Sequence, residues 1–160
     1  DRAHIGGPFV GSKSAIGIQE WHHIVFEKKD NQLYLFIDGR MHDKTTIAQN
    51  VYLINAGDRG LIGASDGGTN SDDPAYKFDG MIDEVRISSI ARYLTNFSPP
   101  THPFGPDAKT VALYHFDGNT EDVSRNEYDG AIIGNVTFVE STIPRVKKLP
   151  SPTPIPRPTP

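Results

Sequence analysis

Three short runs near the start of the chain constrain the fold more than anything else in the sequence. His22–Glu27 reads His-His-Ile-Val-Phe-Glu, and Gln32–Asp38 reads Gln-Leu-Tyr-Leu-Phe-Ile-Asp. Asp38-Gly39 then leads into Arg40–Ile47. Asp-Gly between apolar runs is a hairpin signal, because both residues tolerate the positive φ that a two-residue turn requires. Lys28-Lys29-Asp30-Asn31 separates the first two runs as a polar turn. The expectation is a meander of three antiparallel strands.

Later strand candidates are Gly60–Ala64, Lys77–Phe78, Met81–Ser88, Thr110–Phe116, Gly130–Ile133 and Val136–Val139. In Met81–Ser88 the apolar Ile82, Val85 and Ile87 alternate imperfectly with Asp83, Glu84 and Arg86, which predicts a half-buried strand with a local irregularity. Ser89–Tyr93 reads as a short helical turn. With 15 Gly and 13 Pro among 160 residues, the chain is turn-rich. Many short strands at even spacing predict an all-β antiparallel sandwich or barrel. Cysteine is absent, so disulfides are not the stabilising device. The net charge of −4 argues against a nucleic-acid binder, which would carry a basic stripe. No apolar run approaches the length of a membrane span. The chain opens at Asp1 without a methionine, as a piece of a longer precursor would.

Composition divides the chain into residues 1–143, a sandwich, and residues 144–160, a tail. From Pro150 to Pro160 every second residue is proline. That spacing removes alternate N–H donors and fixes φ, so the tail is expected to be an extended polyproline-II linker. Thr153 and Thr159 within it suit O-glycosylation, as in secreted stalks.

Residues Glu20-Trp21-His22-His23-Ile24-Val25-Phe26 and Leu33-Tyr34-Leu35-Phe36-Ile37-Asp38-Gly39 resemble the bacterial laminin-G-like family of concanavalin A-like jelly rolls. So do Leu61-Ile62-Gly63-Ala64, Phe78-Asp79-Gly80-Met81-Ile82-Asp83-Glu84-Val85-Arg86-Ile87, and the closing turn Ala91-Arg92-Tyr93 with Asn96-Phe97-Ser98-Pro99-Pro100. The match spans residues 20–100. Residues 110–140, with Val111-Ala112-Leu113-Tyr114-His115-Phe116-Asp117-Gly118, resemble the opening of such a domain but follow its closing strand. Either this segment folds back to complete the sandwich as a permuted strand pair, or it begins a second repeat. A sandwich lacking inner strands would leave unpaired backbone groups, which favours fold-back and raises the possibility of strands supplied by an upstream fragment or neighbouring subunit.

The resemblance implies a non-catalytic module. Related glycosidases carry carboxylates at alternating strand positions, whereas Asp83 and Glu84 are adjacent and point to opposite faces of a strand. Asp83 reads instead as a structural acceptor for loop N–H groups. His22 and His23 are not at metal-ligand spacing; one should face the core edge and the other solvent, and Trp21 should be core. Asp117, Asn119 and Asp122 place oxygen ligands at near-alternating loop positions, as calcium prefers, and the family resemblance strengthens that expectation. Asp66, Asn70, Asp72 and Asp73 form a second acidic loop; the plain alternative for both is a solvated turn. Tyr52, Tyr76, Tyr93 and Tyr128 are candidate ligand-contact aromatics, although core packing is the commoner fate of such residues. Asn96-Phe97-Ser98 and Asn135-Val136-Thr137 are N-glycosylation sequons.

Three functional readings follow. One is an extracellular or cell-surface binding and adhesion module contacting glycan or protein through its loops, with calcium as the expected cofactor. Another is a structural subunit of an extracellular filament with strand or tail exchange between neighbours. The third is an accessory domain of a secreted glycosidase.

Overall fold

The computed structural model describes residues 10–12, 14–47, 60–65 and 76–141. Seven strands order these residues: β1 (Ile24–Lys29), β2 (Gln32–Ile37), β3 (Arg40–Thr46), β4 (Ala64–Ser65), β5 (Tyr76–Lys77), β6 (Val85–Ser88) and β7 (Thr110–Tyr114). They form three antiparallel sheets, β1-β2-β3, β4-β5 and β6-β7, with no helix among the described residues. The all-β antiparallel class expected from the sequence is thus observed.

The meander forms where the turn residues place it. Lys29 pairs with Gln32 across Asp30-Asn31, and Ile37 pairs with Arg40 across Asp38-Gly39. Asp38 and Gly39 both take positive φ, 51° and 74°, the geometry of a primed turn whose twist matches the strands. Gly39 is required twice over, because a Cβ there would lie 2.0 Å from the Phe97 carbonyl oxygen. A bulge between Leu35 and Phe36 shifts the β2–β3 register by one residue.

Pairing across β1 and β2 puts Val25, Glu27, Tyr34 and Phe36 on one face. That face meets the segment following β6. Phe36 packs edge-on against Phe97 with centroids 5.6 Å apart, and Phe97 stacks on Tyr93 at 3.6 Å. Residues 93–104 therefore act as a strap over the meander, anchored by the Phe97 N–H donating to the Gly39 carbonyl and the Met41 N–H donating to Asn96 Oδ1. The opposite face is less covered: Leu33 and Ile37 are buried, whereas Ile24 and Phe26 remain 58% and 51% exposed.

β7 turns back and pairs antiparallel with β6, Val85 opposite Tyr114 and Ile87 opposite Ala112. The segment that resembles a domain opening thus lies beside the strand that resembles a domain closing, the arrangement that fold-back requires. Ala112, Leu113 and Tyr114 are buried in this second sheet.

Several local expectations are corrected. The strand expected over Met81–Ser88 begins only at Val85, because Glu84 takes φ +57° while its carboxylate accepts the Phe104 N–H. Ser89–Tyr93 is not a helical turn: the Arg92 and Tyr93 N–H groups donate to the Glu27 carboxylate instead of to carbonyls one turn back. Gly130–Ile133 and Val136–Val139 form no strand. Of the run Gly60–Ala64 only Ala64 enters one, and Lys77–Phe78 is displaced one residue to Tyr76–Lys77. The strand expected through Phe116 stops at Tyr114, and Phe116 takes φ +56°. The Pro-rich tail lies outside the described residues.

Phe36 and Leu113 are fully buried, one in each of the two larger sheets. Phe36→Ala is expected to cost about 3–5 kcal/mol and Leu113→Ala about 2–5 kcal/mol. Urea titration followed by circular dichroism checks both. A loss below about 1 kcal/mol at either site would contradict the packing described.

Candidate functional site

Asp122 was expected as a calcium ligand. In the structure it is buried, and its carboxylate organises its own loop. Oδ1 accepts the Leu113 and Ser124 N–H groups at 2.8 Å each, while Oδ2 accepts the Ser124 hydroxyl at 2.8 Å and the Tyr128 N–H at 3.0 Å. Burial by itself would raise this carboxyl, but the four donors outweigh it and hold the group below its ordinary value. Asp117 and Asn119 are exposed, and Asn119 Oδ1 accepts the Glu121 N–H at 3.1 Å in a local turn. Among the described residues no group of three or more His, Asp or Glu side chains is placed to hold a metal. The second acidic loop, Asp66, Asn70, Asp72 and Asp73, lies outside the described residues, as do Tyr52, Thr153 and Thr159.

The other carboxylates are drawn into the frame in similar fashion. Glu84 accepts from the Phe104 N–H at 3.1 Å and meets His115 Nδ1 at 3.0 Å, while Asp83 accepts the Ser141 hydroxyl. A buried Glu27 takes the Arg92 N–H at 2.8 Å and the Tyr93 N–H at 2.9 Å. The Arg92 guanidinium makes two parallel bonds to Asp107, at 2.8 and 2.9 Å, and Nε donates to Ser88 Oγ at 2.7 Å. The Arg92 fork, helped by the Lys109 N–H, holds the Asp107 carboxyl well below the usual carboxylate range. Sequence reading missed Glu27 and Arg92. The available signal was a glutamate directly following the apolar run Ile24-Val25-Phe26, on the same face as Val25.

The two adjacent histidines part company. His23 enters a slot between Phe97, 5.6 Å away, and Phe104, 6.2 Å away; its Nδ1 is buried without a hydrogen-bond partner. Burial lowers its pKa, and Arg86 adds to that while Asp38 opposes it. His22, expected to face solvent if His23 did not, is instead held by Asp38 at 2.8 Å and neighboured by Glu20 at 3.6 Å. Its bond to Asp38 raises its pKa against a smaller desolvation effect. Asp38 is lowered in return: burial pushes it up, and the bonds from His22 and the His23 N–H outweigh that. Trp21 is half-buried.

Of the candidate aromatics, Tyr93 is committed to the stack on Phe97. Tyr76 and Tyr128 are 62% and 60% exposed. Phe78, not among the expected contacts, is 59% exposed and follows β5 directly, two residues from Tyr76. Ser65 lies opposite Tyr76, and the Phe78 N–H donates to the Gly63 carbonyl at 2.9 Å. The Phe78 ring lies against the backbone of Gly80, where a Cβ would stand 2.7 Å from it. Asn96 and Asn135 are both exposed.

A frame of short antiparallel sheets whose internal carboxylates are bound to backbone donors, with exposed loops and apolar ribbons around it, defines a β-sandwich module. The chain belongs to the concanavalin A-like lectin/glucanases superfamily, whose laminin-G family model matches residues 3–95. No curated protein and no solved structure matches the chain. No helix among the described residues is long and apolar enough to cross a membrane.

The histidine geometry generates a signed pH dependence. The His22 contribution to stability is complete below pH 6.5 and fades as pH rises through its raised folded value. The His23 contribution runs the other way: it is complete above pH 6.5 and is lost as pH falls through its lowered folded value. His22→Asn is therefore expected to destabilise more at pH about 6 than at pH about 8.5, and His23→Asn to flatten the loss on acidification below pH about 6. Urea midpoints across this range check both, and identical pH profiles for wild type and variants would overturn the assignment.

Proposed function

We infer that the chain is a non-catalytic binding module of a larger extracellular or surface protein, and that the Tyr76–Phe78 side of the β4–β5 ribbon is its contact surface for a neutral glycan. The observation that carries this reading is the division of labour among side chains. The described carboxylates at Glu27, Glu84, Asp107 and Asp122 are tied to donors of the frame. Two aromatic rings at the β4–β5 ribbon, Tyr76 and Phe78, meanwhile stand 62% and 59% exposed. Exposed aromatic faces stack on the C–H faces of sugars and need no charge to do so. The superfamily includes lectins and glucanases by its description, which is compatible with carbohydrate contact.

A glycan array probed with the purified chain, with and without chelator, tests the reading. Tyr76→Ala and Phe78→Ala are each expected to weaken the strongest array signal about five- to tenfold. Both rings are exposed, so stability should change by less than about 0.5 kcal/mol. Unchanged binding in both variants would remove the ribbon from the contact surface, and an array with no signal would remove the glycan. The chelator arm tells whether a cation at Asp117, Asn119 and Asp122 takes part.

A second reading, a structural subunit exchanging strands with neighbours, is favoured by residues 131–140. Their backbone makes no hydrogen bond among the described residues, and Ile132, Ile133, Val136 and Val139 are 39–63% exposed. Light scattering after size exclusion at rising concentration tests it: self-association lost in Val136→Lys supports it, and a strict monomer ends it.

A further inference from the structure

We propose that Asn135 is an N-glycan acceptor of the folded chain and that Asn96, despite carrying the same three-residue signal, is not. Exposure does not separate the two, since both side chains face solvent. What separates them is how their neighbours are held.

Asn96 belongs to the strap. Its Oδ1 accepts the Met41 N–H at 2.9 Å across 55 residues of chain. The next residue donates its N–H to the Gly39 carbonyl at 2.9 Å and buries its ring against Phe36, His23 and Tyr93. An enzyme that draws this Asn-x-Ser into its own site must first pull Phe97 out of that cluster.

Asn135 follows a bend at Gly134, where φ is +78°. From 131 to 140 no backbone group is hydrogen-bonded among the described residues, and neither the Asn135 amide nor the Thr137 hydroxyl has a partner. Both recognition elements of the sequon, the Nδ2 amide and the hydroxyl two residues on, are therefore presented on a stretch that can be taken up without breaking a hydrogen bond among the described residues. In the transfer, a bond forms between Asn135 Nδ2 and the anomeric carbon of an activated sugar. The bond from that carbon to the donor's phosphate oxygen breaks, the phosphate leaves with the electron pair, and the displaced Nδ2 proton passes to the transferase. The sugar would then sit between the exposed Ile133 and Val136 in sequence, adding a polar group to an apolar stretch. A glycan there is incompatible with strand exchange through the same ribbon, so the inference sits with the binding-module reading.

The test uses the purified folded chain, UDP-glucose and a soluble nucleotide-sugar-dependent N-glycosyltransferase selected for modifying both synthetic peptides, residues 92–102 and residues 131–141. Occupancy at each asparagine is followed by peptide mass spectrometry. The peptides carry the sequence effects, since Ser98 precedes a proline and Thr137 does not. In the folded chain, Asn135 is expected to be modified faster than Asn96 by a ratio at least about tenfold above that of the peptides. The same ratio in chain and peptides, or an unmodified Asn135 in the folded chain, overturns the proposal. Neither result bears on the Tyr76–Phe78 surface, which the array tests separately.

Discussion

Everything in this small frame meets at one pair of side chains. Glu27 rises from the inner face of β1 and takes the backbone N–H groups of Arg92 and Tyr93 where the strap begins, while the Arg92 side chain reaches the other way to Ser88 at the end of β6 and to Asp107 ahead of β7. The β1-β2-β3 sheet and the β6-β7 sheet share no ladder. Their polar connection runs through this junction. Both members are mostly shielded from water, and their bonds are charge-assisted, which makes them about twice as strong as neutral ones. A carboxylate left in that position without its donors would carry a desolvation penalty, so the strap and the meander are obliged to form together.

The same economy governs the rest of the polar groups. Asp122 gathers four donors and, with its β-bridge to Tyr114 and a turn at residues 125–126, fixes the course of residues 122–128 after β7. Asp129 extends the arrangement by accepting the Asp122 N–H. Acidic loops rich in Asp and Asn read from sequence as cation sites, and they read equally as loops that replace missing ladder bonds with carboxylate ones. For Asp122 the geometry supplies the second function.

Local features were legible in the sequence, and remote ones were not. The meander could be read because Asp38-Gly39 and Asp30-Asn31 dictate turns within a few residues of the strands they join. The irregularity near Glu84 showed as a broken alternation, although its cause, a loop N–H some twenty residues downstream, did not. Ser89–Tyr93 looked helical because its partner lies 65 positions upstream in β1, out of reach of any local pattern. Gly130–Ile133 and Val136–Val139 have the composition of strands, yet composition cannot supply a neighbour to pair with. Tyr76 was among the candidate contacts by its residue type, although packing is the commoner fate of such a ring. Phe78 was not, since an apolar ring beside a strand reads as core.

Gly39 illustrates how tightly the halves are geared. The turn needs a residue free to adopt left-handed backbone, and the strap needs the same atom-free space for the Phe97 carbonyl. A side chain at this corner would lift Phe97, unstack Tyr93 and tilt the peptide that Glu27 grips, so a lesion in a surface hairpin would be felt as slackening on the far side of the molecule. Among residues exposed to mutation, the one with no side chain is the hinge pin.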